Sequence, residues 1–409
     1  MRFLFIHQNF PGQFPHISLA LAQDSANEVV CLGELDRLKN RAPLDPRIKV
    51  LGYRFAISEM KGVHPYLQEY QGQILRGQAV AKACMGLKAK GFTPDVIVAH
   101  PAWGETLFLK DVFPSARLIV YAEFYYGTTG ADTGYDPEFP PAGDGAWRIR
   151  IKNSTQVMSL VAADQAISPT LWQKSRYPQE LQGKIHQIHE GIDTQLIIPS
   201  PKARQAIQLI NGTQLADDDE LITYVARNLE PYRGFHVFMR SLPALLAARP
   251  KARVLIIGGD EVSYGRKLPE GQTYRQRYCA ELGNRVDWSR VHFMGKLPYQ
   301  TYLRVLQVSA CHVYLTYPFV LSWSLTEAMS AGCRIVASDT PPVRELLTEG
   351  VNARLFDFFD TDALVGKICR TLSEPETSSA LAARARADVI EKYDLQTRCL
   401  PAWLSLVKG

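Results

Sequence analysis

Two arginines six residues apart follow the first strand predicted in the second half of the chain. The strand is the apolar run 221–226, and the residues after it are Arg227-Asn-Leu-Glu-Pro-Tyr-Arg233-Gly234. A planar guanidinium group forms paired hydrogen bonds with phosphate oxygens and keeps its charge when partly buried. Both arginines are therefore candidates for holding one diphosphate. On these residues alone, a surface ion pair with Glu230 or a neighbouring carboxylate is an equally good interpretation.

A second candidate site is the segment 317–332, with the sequence YPFVLSWSLTEAMSAG. The apolar run 311–315 predicts a buried strand that leads into it. Ser324 and Glu327 have the three-residue spacing of a capping box, which predicts a helix beginning near Ser324, and Gly332 is placed to end that helix. A loop that follows a strand and opens a helix offers backbone N–H groups and a positive dipole end to an anion. This loop favours the phosphate interpretation of the two arginines.

Two further candidates lie where strands end in the first half of the chain. Gly12 follows the apolar strand 3–6, and His100 ends the strand 95–99. A glycine allows a ligand to approach the backbone closely, although an ordinary strand-to-helix turn also explains Gly12. For His100 the two interpretations are a ligand-binding residue and a capped or core histidine.

Composition excludes several classes of protein. The formal net charge of +5 is spread along the 409 residues, which suits an anionic small molecule and does not predict nucleic-acid binding. The seven cysteines include no CxxC pair, which is typical of free thiols in a reducing compartment. The short apolar N-terminus does not predict a signal peptide, and no apolar run reaches the roughly 18 residues of a spanning helix. The sequence therefore predicts a soluble, cytoplasmic protein.

A helical stretch between residues 64 and 91 carries several basic side chains, at Arg76, Lys82, Lys88 and Lys90. A cationic face toward lipid head groups is one interpretation, and it implies peripheral contact with the inner face of a membrane. A solvated surface is the other interpretation.

Strands and helices alternate twice along the chain, with a break near residue 195. This pattern predicts an α/β protein with two doubly wound domains, in which ligands bind outside the carboxyl ends of the strands. The predicted domains are 1–195 and 196–385, and the residues 386–409 are predicted to form a helix that packs back toward the first domain. The cleft between the domains is the expected site.

The motifs together resemble the donor site of the family-4 (group 1) glycosyltransferases. The resemblance rests on the Arg-x5-Arg-Gly run and on the loop and helix that end in Glu-Ala-Met-x-Ala-Gly. Shorter matches lie at 190–193, 258–260, 293–295 and 337–340 and at Glu345. It implies the GT-B fold, with two facing Rossmann-like domains, the acceptor on the first and the nucleotide sugar on the second.

The resemblance also implies roles for individual residues. Arg227 and Arg233 would bind the donor phosphates and take part in catalysis, and Glu327 would hold the ribose hydroxyls. The backbone N–H groups of three consecutive residues would approach the pyrophosphate and sugar: Ser322, Trp323 and Ser324. In the first domain, Gly12 would lie near the donor phosphate and His100 would contact the transferred sugar as a catalytic residue. The base would lie near Met294.

One position departs from the family pattern. A glutamate that normally touches the transferred sugar is expected eight residues before Glu327, where this chain has Phe319. Phe319 is therefore an uncertain member of the sugar pocket. There are three alternatives. Another group binds the hydroxyls of the sugar, the donor sugar differs in kind, or the transfer is impaired.

The resemblance finally implies a reaction. It is a retaining transfer of a sugar from a UDP- or GDP-sugar to a glycan, a lipid-linked saccharide or a small molecule, with no cofactor and no obligatory metal. No DxD-like pair follows a strand in the second domain, in agreement with this expectation. An epimerase or phosphorylase of the same fold, and a non-catalytic protein that binds sugar nucleotides, are the alternatives.

Overall fold

The computed structural model describes residues 1–39, 44–56, 62–200, 216 and 218–409. The chain forms two compact units, of which the first contains residues 1–191 and 396–409 and the second residues 192–395. The domain boundary predicted at residue 386 falls inside a helix, Pro375–Tyr393, and the chain rejoins the first unit only at residue 396.

The first unit is built on a parallel sheet of seven strands in the order β3-β2-β1-β4-β5-β6-β7. The strands are β1 Arg2–Ile6, β2 Glu28–Glu34, β3 Lys49–Tyr53, β4 Val96–Ala99, β5 Arg117–Tyr121, β6 Gln165–Ser168 and β7 Ile185–Gln187. The helices are α1 Pro15–Gln23, α2 Leu35–Leu38, α3 Pro65–Ala89, α4 Leu109–Val112, α5 Gly145–Lys152, α6 Ser154–Ala162, α7 Leu171–Ser175 and α8 Gln179–Gln182.

The apolar character of β1 follows from burial of the sheet on both faces. Phe3 and Phe5 belong to one core cluster, while Leu4 and Ile6, which alternate with them, belong to another. The first of these clusters also contains Trp403 of the last helix of the chain, α16 Leu400–Lys408, which packs against α1. The C-terminal helix thus completes the core of the first unit.

The second unit has a parallel sheet of six strands in the order β10-β9-β8-β11-β12-β13. The strands are β8 Glu220–Asn228, β9 Ala252–Gly259, β10 Val291–Gly295, β11 Cys311–Tyr314, β12 Ile335–Ser338 and β13 Arg354–Phe356. The helices are α9 Phe235–Ala248, α10 Tyr274–Leu282, α11 Tyr299–Val308, α12 Trp323–Ser330, α13 Pro341–Arg344, α14 Thr361–Ser373 and α15 Pro375–Tyr393.

The two strand pairings that matter for the site are both parallel. β1 pairs with β4, with Ile6 opposite Ala99, so the residues that follow these strands emerge side by side. β8 pairs with β11, with Tyr224 opposite Val313, so the arginine segment and the loop before α12 emerge at the same edge of the second sheet. The prediction of a GT-B fold made of two Rossmann-like domains is confirmed by these sheets.

The basic face predicted between residues 64 and 91 is only partly correct. Arg76 is buried in α3, where its guanidinium forms an ion pair with Glu34, contacts the Tyr53 hydroxyl at 3.3 Å and lies 4.0 Å from the centre of the Phe55 ring. Arg76 therefore stabilises the interior of the first unit and is not part of a basic surface. Lys82, Lys88 and Lys90 remain exposed, although the Lys88 ammonium donates to the Val112 carbonyl.

All seven cysteines are free thiols. Within the described parts of the chain, no helix is both long and apolar enough to cross a membrane.

Candidate active site

The loop between β11 and α12 forms the predicted strand–loop–helix, but the helix is capped differently from the prediction. Ser322 is the N-cap residue, and its hydroxyl oxygen accepts hydrogen bonds from the Ser324 N–H at 3.3 Å and from the Ser324 hydroxyl at 2.9 Å. The predicted capping box of Ser324 and Glu327 is therefore wrong. The Ser322 N–H donates to the Tyr314 hydroxyl at 2.9 Å, so two of the three predicted phosphate donors are used inside this unit.

Glu327 is held between two tyrosines of α11. Its Oε1 accepts a hydrogen bond from the Tyr299 hydroxyl at 2.8 Å and its Oε2 accepts one from the Tyr302 hydroxyl at 2.7 Å. Burial raises the pKa of Glu327, and the two donated hydrogen bonds oppose that rise. The carboxylate is 8% exposed and Tyr299 is 47% exposed, so the group lies at the edge of the unit in a fixed orientation. Each oxygen keeps lone-pair capacity for a ligand hydroxyl.

Arg233 is buried, and it organises the loop before α12. Its Nη1 donates to the Thr316 hydroxyl at 2.7 Å and to the Val320 carbonyl at 2.9 Å. The guanidinium carbon lies 5.5 Å from the centre of the Tyr264 ring and 5.9 Å from that of Phe319. Such contacts stabilise a cation in a partly desolvated site. Arg233 thus places a fixed positive charge beneath the loop.

Gly234 explains how the chain turns from Arg233 into α9. Its φ of +67° lies in the left-handed region, and a Cβ atom there would come within 2.4 Å of the Leu315 side chain. Glycine satisfies both constraints.

Glu230 has a structural partner other than the arginines. Its carboxylate accepts hydrogen bonds from the backbone N–H groups of Ser263 at 3.1 Å, Tyr264 at 3.1 Å and Gly265 at 2.8 Å. Within the described residues no ion pair joins Glu230 to Arg227 or Arg233. The alternative interpretation of the arginine motif as a surface pair with Glu230 is therefore wrong. Glu230 instead holds Tyr264, one of the rings beside Arg233.

Arg227 differs from Arg233 in being exposed at the end of β8. Among the described residues its side chain makes no hydrogen bond or ion pair. The pKa of Glu261 is lowered mainly by its hydrogen bond to Lys296, and the charge of Arg227 lowers this pKa further. Arg227 is therefore a cation available to an anionic ligand.

Phe319 occupies the position where the family pattern has a glutamate, and it is 3% exposed. Its ring meets that of Tyr232 edge-on at 5.3 Å and that of Tyr264 at 4.9 Å, in addition to Arg233. Aromatic packing therefore fills the space of the expected carboxylate.

Met294, which is predicted to lie near the base, is a buried residue. It is 4% exposed and packs in a small core cluster with Leu255, Ile257 and Val305, and its place near the base stays a prediction. The neighbouring Phe293 is partly exposed, with its ring centre 5.4 Å from the Arg275 guanidinium.

In the first unit, His100 and Gly12 come together with a histidine that the sequence analysis missed. His7 directly follows β1, and its ring centre lies 5.3 Å from that of His100. Gly12 lies against the His7 ring, because a Cβ atom on Gly12 would come within 2.5 Å of it, and its φ is +51°. The available signal was a second histidine at the end of a neighbouring parallel strand. We call His7, Gln13, His100 and Glu123 the histidine cluster.

Charge and burial make His7 a neutral group at neutral pH. Burial lowers its pKa well below 6.5 and the nearby His100 lowers it further, while Gln13 acts in the opposite sense. Gln13 donates from Nε2 to Glu123 Oε1 at 3.0 Å, and Glu123 Oε2 lies 3.5 Å from His100 Nε2. The cluster thus places two imidazole rings beside one carboxylate.

Two family models match consecutive stretches that together cover most of the chain. "Glycosyl transferase family 4 group" matches residues 25–197 and "Glycosyl transferases group 1" matches residues 207–388. The chain belongs to the group 1 glycosyltransferases. The family predicted from the sequence is thereby confirmed.

Two curated relatives of this glycosyltransferase come from Mycolicibacterium smegmatis. A phosphatidyl-myo-inositol mannosyltransferase is 24% identical over 59% of this chain and 64% of its own length. A GDP-mannose-dependent alpha-(1-6)-phosphatidylinositol monomannoside mannosyltransferase is 22% identical over 70% of each chain. The chain thus spans less than two thirds of the length of the first of these relatives.

Solved structures share the fold of this glycosyltransferase at low identity. Sucrose-phosphate synthase from Thermosynechococcus elongatus superposes with a TM-score of 0.74 at 16% identity, covering 100% of this chain and 98% of that one. HepE from Anabaena, solved in complex with UDP, gives a TM-score of 0.72 at 16% identity over the whole of both chains.

Proposed function

We propose that this glycosyltransferase moves a sugar from a UDP- or GDP-sugar to an acceptor with retention of configuration and without an obligatory metal. The observation that carries the proposal is Glu327, a residue in the middle of α12 that Tyr299 and Tyr302 hold in place. A carboxylate accepts hydrogen bonds from two neighbouring hydroxyls, as a ribose requires. One of the two curated relatives is GDP-mannose-dependent by its name and HepE was solved in complex with UDP, and these two proteins motivate the two bases.

The departing diphosphate needs positive charge. Arg227 is exposed and unpaired among the described residues, Arg233 lies buried beneath the loop, and α12 begins at this loop. A preorganised cation and a helix N-terminus stabilise developing negative charge, which is the role that a divalent metal has in other transferases. Arg227 and Arg233 are therefore the proposed catalytic and phosphate-binding residues.

Retention is proposed from the resemblance to the retaining family-4 glycosyltransferases. The buried Phe319 ring cannot act as a nucleophile or base. In the proposed pathway the departing phosphate oxygen takes the acceptor proton while the new glycosidic bond forms on the same face of the sugar. His100, at the end of β4, would contact the transferred sugar.

The acceptor is proposed to bind the first unit near the segment 125–144. Asn153 holds this segment, since its side chain accepts from the Tyr126 N–H at 3.1 Å and donates to the Tyr126 carbonyl at 2.7 Å. The phosphatidylinositol-linked acceptors in the names of the relatives favour a lipid-linked saccharide. Peripheral contact with the inner membrane face, through Lys82, Lys88 and Lys90, belongs to the same proposal.

The test is a binding and turnover screen of the purified protein. Calorimetry with UDP, GDP, UDP-glucose and GDP-mannose, each with and without a chelator, should reveal one preferred base and no dependence on metal. Incubation of the preferred sugar nucleotide should release its sugar slowly, with the anomeric configuration read by NMR. The proposal fails if none of the four ligands binds.

Phe319 also supports a second candidate, a protein that binds sugar nucleotides without transfer. Binding of a sugar nucleotide with neither hydrolysis nor transfer, in a screen of glycan and lipid-linked acceptors, would favour it. An epimerase or phosphorylase would be recognised by its products, since an epimerase converts the sugar nucleotide without an acceptor.

A further inference from the structure

A short turn at the end of β8 contacts two loops of the second unit. The turn is the segment 230–233. The first loop, residues 261–265, follows β9, and we call it the Tyr264 loop. The second is the loop before α12, which follows β11. Because β8 lies between β9 and β11 in the sheet, its carboxyl end is a neighbour of both loops, and the turn is placed to join them.

Glu230 holds the Tyr264 loop by its backbone. The carboxylate accepts hydrogen bonds from three consecutive N–H groups, those of residues 263–265. Consecutive backbone N–H groups that point toward one place form an anion-binding concavity, and a side chain of the protein occupies this one. Glu230 is 1% exposed, so water has little access to these bonds. Loss of the carboxylate should therefore release the Tyr264 loop.

The other end of the turn holds the loop before α12. The Tyr232 carbonyl accepts a hydrogen bond from the Tyr317 N–H at 3.0 Å. Arg233 donates to the Thr316 hydroxyl and to the Val320 carbonyl, as described above. The same turn therefore fixes two loops that are distant in sequence, one through the carboxylate of Glu230 and the other through Tyr232 and Arg233.

The two loops meet beside the guanidinium of Arg233. The Tyr264 ring centre lies 5.5 Å from the guanidinium carbon and 4.9 Å from the centre of the Phe319 ring. Burial raises the pKa of Tyr314, and the nearby Tyr264 raises it further. The Tyr314 hydroxyl accepts from the N–H of Ser322, the N-cap residue of α12. Tyr264, which is 40% exposed, therefore lies close both to Arg233 and to the start of α12.

We propose that Glu230 is a positioning residue for the binding of a nucleoside diphosphate. Its carboxylate fixes the Tyr264 loop, and the Tyr264 ring in turn holds the Arg233 guanidinium in the orientation that the ligand requires. The proposal rests on the proposed transferase function, in which Arg233 binds the donor diphosphate. Glu230 acts without touching the ligand, because its buried carboxylate is directed at the backbone N–H groups of the Tyr264 loop.

The first test is chemical rescue of Glu230→Ala. In this variant the three N–H groups lose their carboxylate, and free formate can take its place. The affinity of the full chain for UDP or GDP, measured by calorimetry, should fall about threefold to thirtyfold. Formate should restore the affinity, whereas chloride at the same ionic strength should not. Wild-type affinity without formate, or a loss that formate does not restore, would overturn the proposal.

Glu230→Gln keeps the shape of the side chain and one acceptor oxygen, so it should lose less affinity than Glu230→Ala. It decides the question if Glu230→Ala does not fold, since wild-type affinity in Glu230→Gln would then contradict the proposal. Glu281→Ala is the matched control. It also removes a carboxylate from the second unit, but Glu281 pairs with Arg240 outside the two loops, and the variant should bind normally.

The second test asks whether Glu230 acts through the Tyr264 ring. Tyr264→Phe retains the ring beside Arg233 and should bind the nucleoside diphosphate normally, whereas Tyr264→Leu should bind it as weakly as Glu230→Ala. Residues that act in one chain of contacts are not additive, so the double variant should bind no more weakly than Tyr264→Leu alone. Additive losses, or equal losses in Tyr264→Phe and Tyr264→Leu, would show that the ring does not transmit the effect of Glu230.

Hydrogen exchange of the free protein tests the same contact without a nucleotide. Mass spectrometry should show faster exchange of the N–H groups of residues 263–265 in Glu230→Ala, and formate should slow it again. Unchanged exchange in Glu230→Ala would overturn the proposal. The two proposals fail in different ways. If the wild-type protein binds neither UDP nor GDP, the transferase proposal fails, whereas equal binding by the wild type and Glu230→Ala removes only the positioning role.

Discussion

The loop before α12 and the histidine cluster use their polar groups in opposite ways. In the second unit, Arg233 and Glu327 are each fixed by two hydrogen bonds inside the protein. In the first unit, the Nε2 atoms of His7 and His100 form no hydrogen bond of good geometry with the described residues, although Glu123 Oε2 lies 3.5 Å from His100 Nε2. The loop before α12 is therefore fixed by its own hydrogen bonds, whereas the two imidazole donors of the histidine cluster form none.

This difference has an energetic meaning. Preorganised charges need no rearrangement when a ligand or a transition state forms, so they suit the part of a substrate where charge develops. Buried donors that lack a hydrogen bond reduce stability. Variants that remove a fixed group should thus lower stability as well as binding, whereas variants of the exposed Arg227 should change binding alone.

The largest effect is expected for Arg233→Ala. The change removes two hydrogen bonds from a buried charged group and the contacts with the Tyr264 and Phe319 rings. We expect a loss of about 3 kcal/mol in the free energy of unfolding, together with loss of sugar-nucleotide turnover. Urea unfolding and donor hydrolysis measure the two. Unchanged stability would show that Arg233 does not organise the loop.

Arg227→Ala is the contrasting variant in the same motif. Arg227 is exposed and unpaired among the described residues, so the free energy of unfolding should stay within about 0.5 kcal/mol of the wild type. Loss of a charge-assisted bond to phosphate should weaken nucleoside diphosphate binding by about 1.5–3 kcal/mol, measured by calorimetry. Arg384→Ala, on the exposed side of α15, is the control and should bind normally. Normal binding by Arg227→Ala would remove this residue from the phosphate site.

The sequence predicted the strands, the helix at 323–330 and the arginine motif because these depend on local composition and spacing. It did not predict the contacts between distant segments. Tyr299 and Tyr302 precede Glu327 by more than twenty residues, and only the packing of α11 against this edge brings them to the carboxylate. The prediction that Arg76 lies on a basic surface was wrong because the direction of a side chain depends on its neighbours in the fold. His7 was predictable in principle, since parallel strands β1 and β4 end together.

Acidification should act with opposite sign on the two regions. The pKa of His7 is well below 6.5, so below that pH the unfolded chain binds a proton that the folded chain does not. Stability then falls by up to about 1.4 kcal/mol per pH unit as the pH drops. The pKa of Glu327 is raised above 4.5, so the folded chain binds that proton more tightly, and its contribution rises as the pH falls through the raised pKa.

The measurement is urea unfolding between about pH 7 and pH 4. His7→Phe should flatten the loss of stability on acidification, and Glu327→Gln should steepen it. If the free energy of unfolding depends equally on pH in His7→Phe and the wild type, then His7 is not held neutral by burial. The two regions would then not differ in their response to pH.

The smallest effect is expected for Tyr299→Phe, which removes one of the two donors to Glu327 from a half-exposed position. Loss of one hydrogen bond predicts about 1 kcal/mol, or about fivefold weaker binding of the preferred nucleoside diphosphate. Because Tyr299 acts by orienting Glu327 toward the ribose, the 2′-deoxy nucleotide should lose less affinity than the ribonucleotide. Tyr302→Phe removes the buried donor. It should also reduce the difference in affinity between the ribonucleotide and the 2′-deoxy nucleotide, and it should lower the free energy of unfolding. Equal losses for both nucleotides would show that the tyrosines support the fold of α12 and do not position Glu327 for the ribose.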